Sequence, residues 1–200
     1  MSLTCYDYLK ASEKRNGNFP AAIAFGCKTS LTKLMRDIDS LAGYINSIGI
    51  GDGDAVTVFL PTVIHAFTSF YALNKIGVIA NIVHPLTSPD ALKEIMITTS
   101  SKAVFILDIL AADYADVIND CGIPCIICSN SAVYLHGGGT TGKSKTIMLS
   151  GANINAIADK LEPLDIPDLK PGKECSLVVL PMFHAFGLAV AMHYPLTHGY

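Results

Sequence analysis

Short apolar runs alternate along the chain with stretches whose apolar residues recur every three or four positions. Ala21 to Phe25 is the first such run. Leu34, Ile38, Leu41, Ile45 and Ile48 then step by three and four, which predicts an amphipathic helix over Leu31–Ile48 with Thr29 and Ser30 as candidate caps. Gly49, Gly51 and Gly53 can end it, because glycine tolerates positive φ. Ala55–Leu60 (AVTVFL) predicts a buried strand stopped by Pro61. A helix over about Thr62–Ile76 and a strand over Val78–Val83 follow. Ser88 and Pro89 open a helix to about Thr99. Next come a strand at Ala103–Leu107, a helix at Ala111–Asn119 and a strand at Ile123–Cys128. After Ser150 a helical face resumes with Ile154, Ile157, Ala158 and Leu161, and Leu177–Leu180 predicts one more strand before Pro181. This rhythm predicts an α/β fold: a doubly wound, mostly parallel sheet with right-handed crossovers. There is no internal repeat and no linker-like stretch, so residues 1–200 read as one domain or most of one.

Composition narrows the partners. Fourteen basic against 17 acidic residues give a net charge of −3, which argues against a nucleic-acid groove or an anionic membrane surface. Half the residues are hydrophobic, 16% are charged, Trp is absent and the mean hydropathy is +0.42. That is apolar for a soluble monomer. Either the strands are buried on both faces, or part of this surface packs against sequence outside these 200 residues, in which case the chain alone should self-associate. The most apolar window, Val63–Val83, is interrupted by His65, Asn74, Lys75 and Gly77, so no transmembrane segment is expected. The N-terminus lacks a signal-peptide core, and six cysteines without one point to free thiols in the cytoplasm. Cys121, Cys125 and Cys128 have a spacing that can hold an iron–sulfur cluster, but Pro124 opens an apolar strand there and CIIC sends its cysteines to opposite faces. No metal site is expected.

The chemistry concentrates in Val133–Ser150, VYLHGGGTTGKSKTIMLS. Gly137–Ser144 fits the P-loop pattern G-x-x-x-x-G-K-[ST]. A P-loop runs straight into a helix, however, and KTIMLS is strand-like; nor does a downstream strand end in the Asp that would hold magnesium. The other reading is strand, Gly/Thr turn, strand. Gly137, Gly138, Gly139 and Gly142 let the backbone approach a polyphosphate, Thr140 and Thr141 add hydroxyl donors, and Lys143 and Lys145 add charge. A ligand-free glycine hairpin tip is the bland alternative, and it does not account for two threonines and two lysines among the glycines. Farther on, LPMFHAFGL (Leu180–Leu188) places His184 beside Phe183 after a strand end, where open α/β sheets keep ligands. His65, His84, His193 and His198 show no such context, and His136 merely abuts the loop.

YLHGGGTTGKSK resembles the signature loop of the adenylate-forming superfamily: acyl-CoA synthetases, coumarate-CoA ligases, luciferases and peptide-synthetase adenylation domains. LPMFHAFGL resembles that family's next motif. LTKLMRDIDSLAGYINSIGIGDGDAVTVFLP and ALNKIGVIANIVHPLTSPDALKEIMITTSSKAVFIL resemble its opening segments in order. The chain departs at Gly137 and Gly138, where a hydroxyl residue is usual, and at Ser144-Lys145-Thr146, where Pro-Lys-Gly is usual. Gly151 replaces the His of a Thr-His pair, and the stretch between Cys128 and Tyr134 is short. The resemblance implies the N-terminal part of the large domain of an acyl-CoA synthetase-like enzyme, with the remaining parts beyond Tyr200. It implies that Mg-ATP and a carboxylic acid, often a fatty acid, give an acyl-adenylate, and that a thiol, most often coenzyme A, then takes the acyl group. Gly137–Thr141 and Lys145 would contact phosphates, and His184 would lie beside the acyl pocket. Two other readings stay open: a true P-loop nucleotide-binding domain, and a non-catalytic module of the same fold.

Overall fold

The computed structural model describes residues 3–24, 26–128, 149–161 and 169–200. Its centre is a parallel sheet, four-stranded among the described residues, in the order β4-β3-β5-β6. The strands are β3 (Ala55–Phe59), β4 (Ile79–Ile82), β5 (Ser101–Leu107) and β6 (Cys125–Cys128). Strand β3 pairs with β4 through Ala55–Ile79 to Val58–Ile82 and with β5 through Phe59–Ile106; β5 pairs with β6 through Val104–Cys125 to Leu107–Cys128.

Two-sided burial explains why these runs are almost continuously apolar. Successive side chains of a strand face opposite ways. Val56 and Val58 of β3, with Ala103, Phe105 and Leu107 of β5, therefore join one core. Phe59, Val104 and Ile106 join the other. The first core is covered by α1 (Cys5–Asn16), α2 (Leu31–Ser47), α3 (Ile64–Lys75) and α6 (Gly151–Leu161). The second is covered by α4 (Pro89–Thr98) and α5 (Asp108–Asp120), through Leu92, Met96, Tyr114 and Ile118. The doubly wound parallel sheet expected from the pattern is what forms.

Several boundaries match the pattern in detail. Ser30 caps α2 by accepting the Lys33 amide, and Pro89 takes the first position of α4. Gly49 and Gly53 adopt φ of +84° and +83°, while Gly51 does not need positive φ. Ser88 holds the N-cap position of α4 without a side-chain capping bond. At α6, Ser150 and Asn153 cap each other reciprocally.

Other expectations are corrected. Leu177–Leu180 is not a strand: no described strand pairs with it, and Leu177 and Val179 are 84% and 72% exposed. Ile157 of α6 faces outward, and Asn155 takes the buried place beside Ile154 and Ala158. The run at Ala21 becomes half of an antiparallel hairpin, β1 (Pro20–Ala24) with β2 (Cys27–Ser30), outside the main sheet. Helix α1 was not signalled by apolar spacing. It is started by a capping box between Thr4 and Asp7 and pinned from three sides. Tyr6 donates to Asp39 of α2 at 2.9 Å, the Asn74 side chain of α3 accepts the Tyr6 amide, and Ser12 donates to the Leu196 carbonyl at 2.8 Å.

The described chain ends in a seven-residue π-helical segment, Gly187–His193, followed by α7 (Tyr194–His198). His193 is fully buried there. Its Nε2 lies 3.0 Å from Asn155 Oδ1, and its Nδ1 lies 2.9 Å from the Tyr71 hydroxyl. Asn155 uses its amide hydrogens on the Leu3 carbonyl, so Oδ1 must accept. The proton therefore sits on Nε2, and Tyr71 donates to Nδ1. This polar bridge fastens α3, α6 and the π-helical segment together. It gives that segment a structural explanation, although such segments often mark functional sites.

Candidate active site at the carboxyl edge of the sheet

Chain order reverses between β3 and β5: the chain leaves β3 for β4 on one side, then crosses back to β5 on the other. In open α/β sheets ligands sit at the carboxyl ends of the strands flanking such a switch point. Pro61 and Thr62 follow β3 there; Val83 and His84 follow β4, the neighbour of β3 on the side away from the switch point.

The segment carrying His184 is moored to this edge. The Met182 amide donates to Thr62 Oγ1 at 3.0 Å. Met182 itself is buried in the first core. Phe183 packs its ring on His84, with centroids 4.3 Å apart and planes at 46°. His184 closes a tight turn by donating its amide to the Pro181 carbonyl at 2.9 Å, and its own carbonyl accepts the Leu188 amide at 3.0 Å. Gly187 is needed at the next step, because a Cβ there would run into the carbonyl oxygens of Pro181 and Leu180.

The His184 side chain is exposed, and its Nδ1 accepts the Phe186 amide at 3.3 Å. With Nδ1 occupied as an acceptor, the proton resides on Nε2, which can donate to an anionic oxygen. His184 is thus at the sheet's carboxyl edge as expected, but a turn tied to Thr62 puts it there, not a strand end. His84 reaches the same place, which its sequence context did not indicate. The signal available was position alone, two residues past an apolar strand.

Gly137, Gly138, Gly139, Thr140, Thr141, Gly142, Lys143 and Lys145 lie outside the described residues, as does His136. Of KTIMLS, only Leu149 and Ser150 are described, and neither is helical; α6 starts at Gly151. Among the described residues no group of three or more His, Cys, Asp and Glu could hold a metal ion. All six cysteines are free thiols, with Cys121 ending α5 and Cys125 and Cys128 in β6. Among the described residues no helix is long and apolar enough to cross a membrane. A depression of about 400 Å³ lies at the opposite, amino-terminal end of β5 and β6, lined by Met96, Ser100, Lys102, Cys121 and Pro124. No histidine lines it.

The fold is an α/β domain whose parallel sheet has a switch point between β3 and β5. Comparison with known proteins then sets the family. The family of AMP-binding enzymes matches residues 9–132 and 124–200, so the chain belongs to it. Its relatives are ligases. A long-chain-fatty-acid–CoA ligase of Escherichia coli O6:H1 is 20% identical over 241 residues, covering 92% of this chain and 43% of that protein. A 2-succinylbenzoate–CoA ligase of Bacillus cereus is 24% identical over 178 residues, covering 82% and 36%. The N-terminal domain of FACL13 from Mycobacterium tuberculosis superposes with a TM-score of 0.82 at 16% identity, covering 99% of this chain and 56% of that one. The chain therefore spans less than half the length of these two ligases, and it matches the N-terminal part of the acyl-CoA ligase fold. Family membership also removes the P-loop reading of Gly137–Ser144.

Proposed function

We propose that the full-length protein activates a carboxylic acid with ATP and passes the acyl group to a thiol, coenzyme A in the simplest case. Residues 1–200 would carry the N-terminal part of the AMP-binding domain. The observation that carries this reading is the moored turn at the switch point: within a family of AMP-binding enzymes, it presents an exposed imidazole with a free Nε2–H donor at the ligand edge.

In the first half-reaction a carboxylate oxygen attacks the α-phosphorus, the bond to the bridging oxygen breaks, and pyrophosphate leaves with that electron pair. Nε2–H of His184 would hold the carboxylate by a hydrogen bond while it is aligned. The amides and hydroxyls of Gly137–Thr141, with Gly142, Lys143 and Lys145, would take up charge on the departing β- and γ-phosphates. Magnesium would arrive with the nucleotide, bound to its phosphates. In the second half-reaction a thiolate displaces AMP from the acyl carbon. The relatives named above act on acids as different as long-chain fatty acids and 2-succinylbenzoate. Fatty acid metabolism and a cytoplasmic setting belong to this proposal.

ATP–pyrophosphate exchange on the full-length protein with short, long and aromatic acids tests the reading. Exchange dependent on one class of acid is expected, and none with any acid would refute it, leaving a non-catalytic use of the fold. Residues 1–200 alone are expected to give no exchange, because phosphate contacts in an open site are heavily screened by solvent.

A further inference from the structure

We infer that His84 is a positioning residue for His184, acting through Phe183. The kinetic consequence rests on the acid-activation reading above; the geometry does not. Three observations converge on it. First, His84 is locked from its own side of the site: the Leu86 amide donates to its Nδ1 at 2.9 Å, which fixes the ring two residues past β4 and places its proton on Nε2. Second, this fixed ring is the partner of Phe183, at a centroid distance of 4.3 Å. Third, Phe183 lies between Met182, tied to Thr62 after β3, and His184, whose exposed side chain has only a long 3.3 Å bond from the Phe186 amide to orient it.

The turn at 181–186 is thus moored to the sheet at two points, a hydroxyl after β3 and an imidazole after β4. Thr62 and the burial of Met182 fix the start of the turn, and the His84 ring fixes Phe183, the residue next to His184. Removing the His84 ring leaves Met182 held by Thr62 and by its burial, and leaves Phe183 without its ring partner. His184 would then sample more directions, and a carboxylate would meet its Nε2 less often in the productive geometry. His84 is not placed as a second catalytic group, because its Nδ1 is committed to the Leu86 amide and its ring is half-buried under Phe183.

The experiment uses the full-length protein and two readouts. His84→Ala removes the ring, His84→Asn keeps an acceptor for the Leu86 amide without the ring, and His84→Phe keeps a ring without the acceptor. In acid-dependent pyrophosphate exchange, His84→Ala and His84→Asn are expected to raise the KM for the acid by about tenfold, the scale of one lost ring–ring contact, with the KM for ATP unchanged. His84→Phe is expected to restore most of it. Wild-type values in His84→Ala, equal losses in His84→Ala and His84→Phe, or a parallel rise in the KM for ATP would overturn the proposal. If the wild-type protein activates no acid, the acid-activation reading fails, and the second readout decides the positioning alone. In protein labelled with ¹³C-histidine, the His184 ring signal, assigned by its loss in His184→Gln, should shift in His84→Ala and return in His84→Phe. A His184 signal indifferent to His84→Ala would refute the positioning role.

Discussion

Acid should loosen the helical side of this domain through His193. The ring is fully buried, donates from Nε2 to Asn155 and accepts from Tyr71 at Nδ1, an arrangement built for the neutral imidazole. Burial, with a smaller contribution from the nearby charge of His198, lowers its pKa to about 4. In the unfolded chain a histidine titrates near ~6.5. Because the folded value is the lower one, the unfolded state takes up the proton first. The stability contributed by neutral His193 is therefore complete above the unfolded pKa and drains away as the pH falls from there towards the folded one. A gap of roughly 2.5 pH units corresponds to about 3 kcal/mol in all, of which about 2 kcal/mol is lost between pH 7 and pH 4.5. His65, whose pKa burial also lowers, pulls the same way. Asp39 enters only in stronger acid: burial raises its carboxyl, but hydrogen bonds from Lys75 and Tyr6 outweigh that and hold it below its ordinary value. Urea denaturation followed by far-UV circular dichroism at the two pH values isolates His193 by comparison with His193→Gln, whose amide can still accept from Tyr71 and donate to Asn155 but cannot titrate. The wild-type protein should lose about 2 kcal/mol more than the variant. Parallel losses in the two proteins would refute the argument.

Gly187→Ala should cost about 1–3 kcal/mol, since its Cβ would press on the Pro181 and Leu180 carbonyls; unchanged denaturation midpoints would count against that close approach. Toward a thiol reagent the native protein should expose Cys27 and Cys175 first and Cys5 and Cys128 last, as burial keeps the last two thiols protonated, with pKa values of about 12 and about 11. All six should react once the chain is denatured, and fewer would mean a bridge or bound metal. Lys145→Ala in the full-length protein should slow pyrophosphate exchange by roughly a hundredfold while leaving acid binding nearly intact, the expected effect of losing one contact to a charge that grows in the transition state. An unchanged exchange rate would remove Lys145 from the phosphate site.

The main sheet could be read from the chain because burial on both faces leaves no ambiguity: AVTVF and SKAVFIL have side chains in two cores and almost no polar interruption. Helix α2 was equally plain, since one face meets the core and the other meets water. What failed were elements whose identity comes from a partner. CKTS is a strand because Pro20–Ala24 lies beside it, and four half-polar residues carry no such message alone. Leu177–Leu180 is the converse, a strand composition with no pairing edge beside it among the described residues. Intrinsic β-propensity is a preference for a pleated, half-buried surface, and without that surface it decides nothing. Helix α1 is polar along most of its length and stands on its capping box and on ties to Asp39, Asn74 and Leu196 that span the chain.

The two histidines of the C-terminal stretch show where the same limit falls for the site. His184 sits in MFHAF and His193 in AMHYP, each between apolar neighbours, so local sequence does not separate them. One is exposed at the carboxyl edge of the sheet, and the other is buried against Tyr71 and Asn155. The motif contains the first, but the residues that hold its turn lie outside the motif: Thr62 and His84, each just past the end of a strand. Strand order is the missing quantity. Once β4-β3-β5-β6 is known, the residues following β3 and β5 flank the switch point and those following β4 stand next to them across β3, whether or not their neighbours in sequence look unusual. His84 stands two residues past β4 and packs on Phe183, the neighbour of His184, a contact that neither its flanks nor its spacing announces.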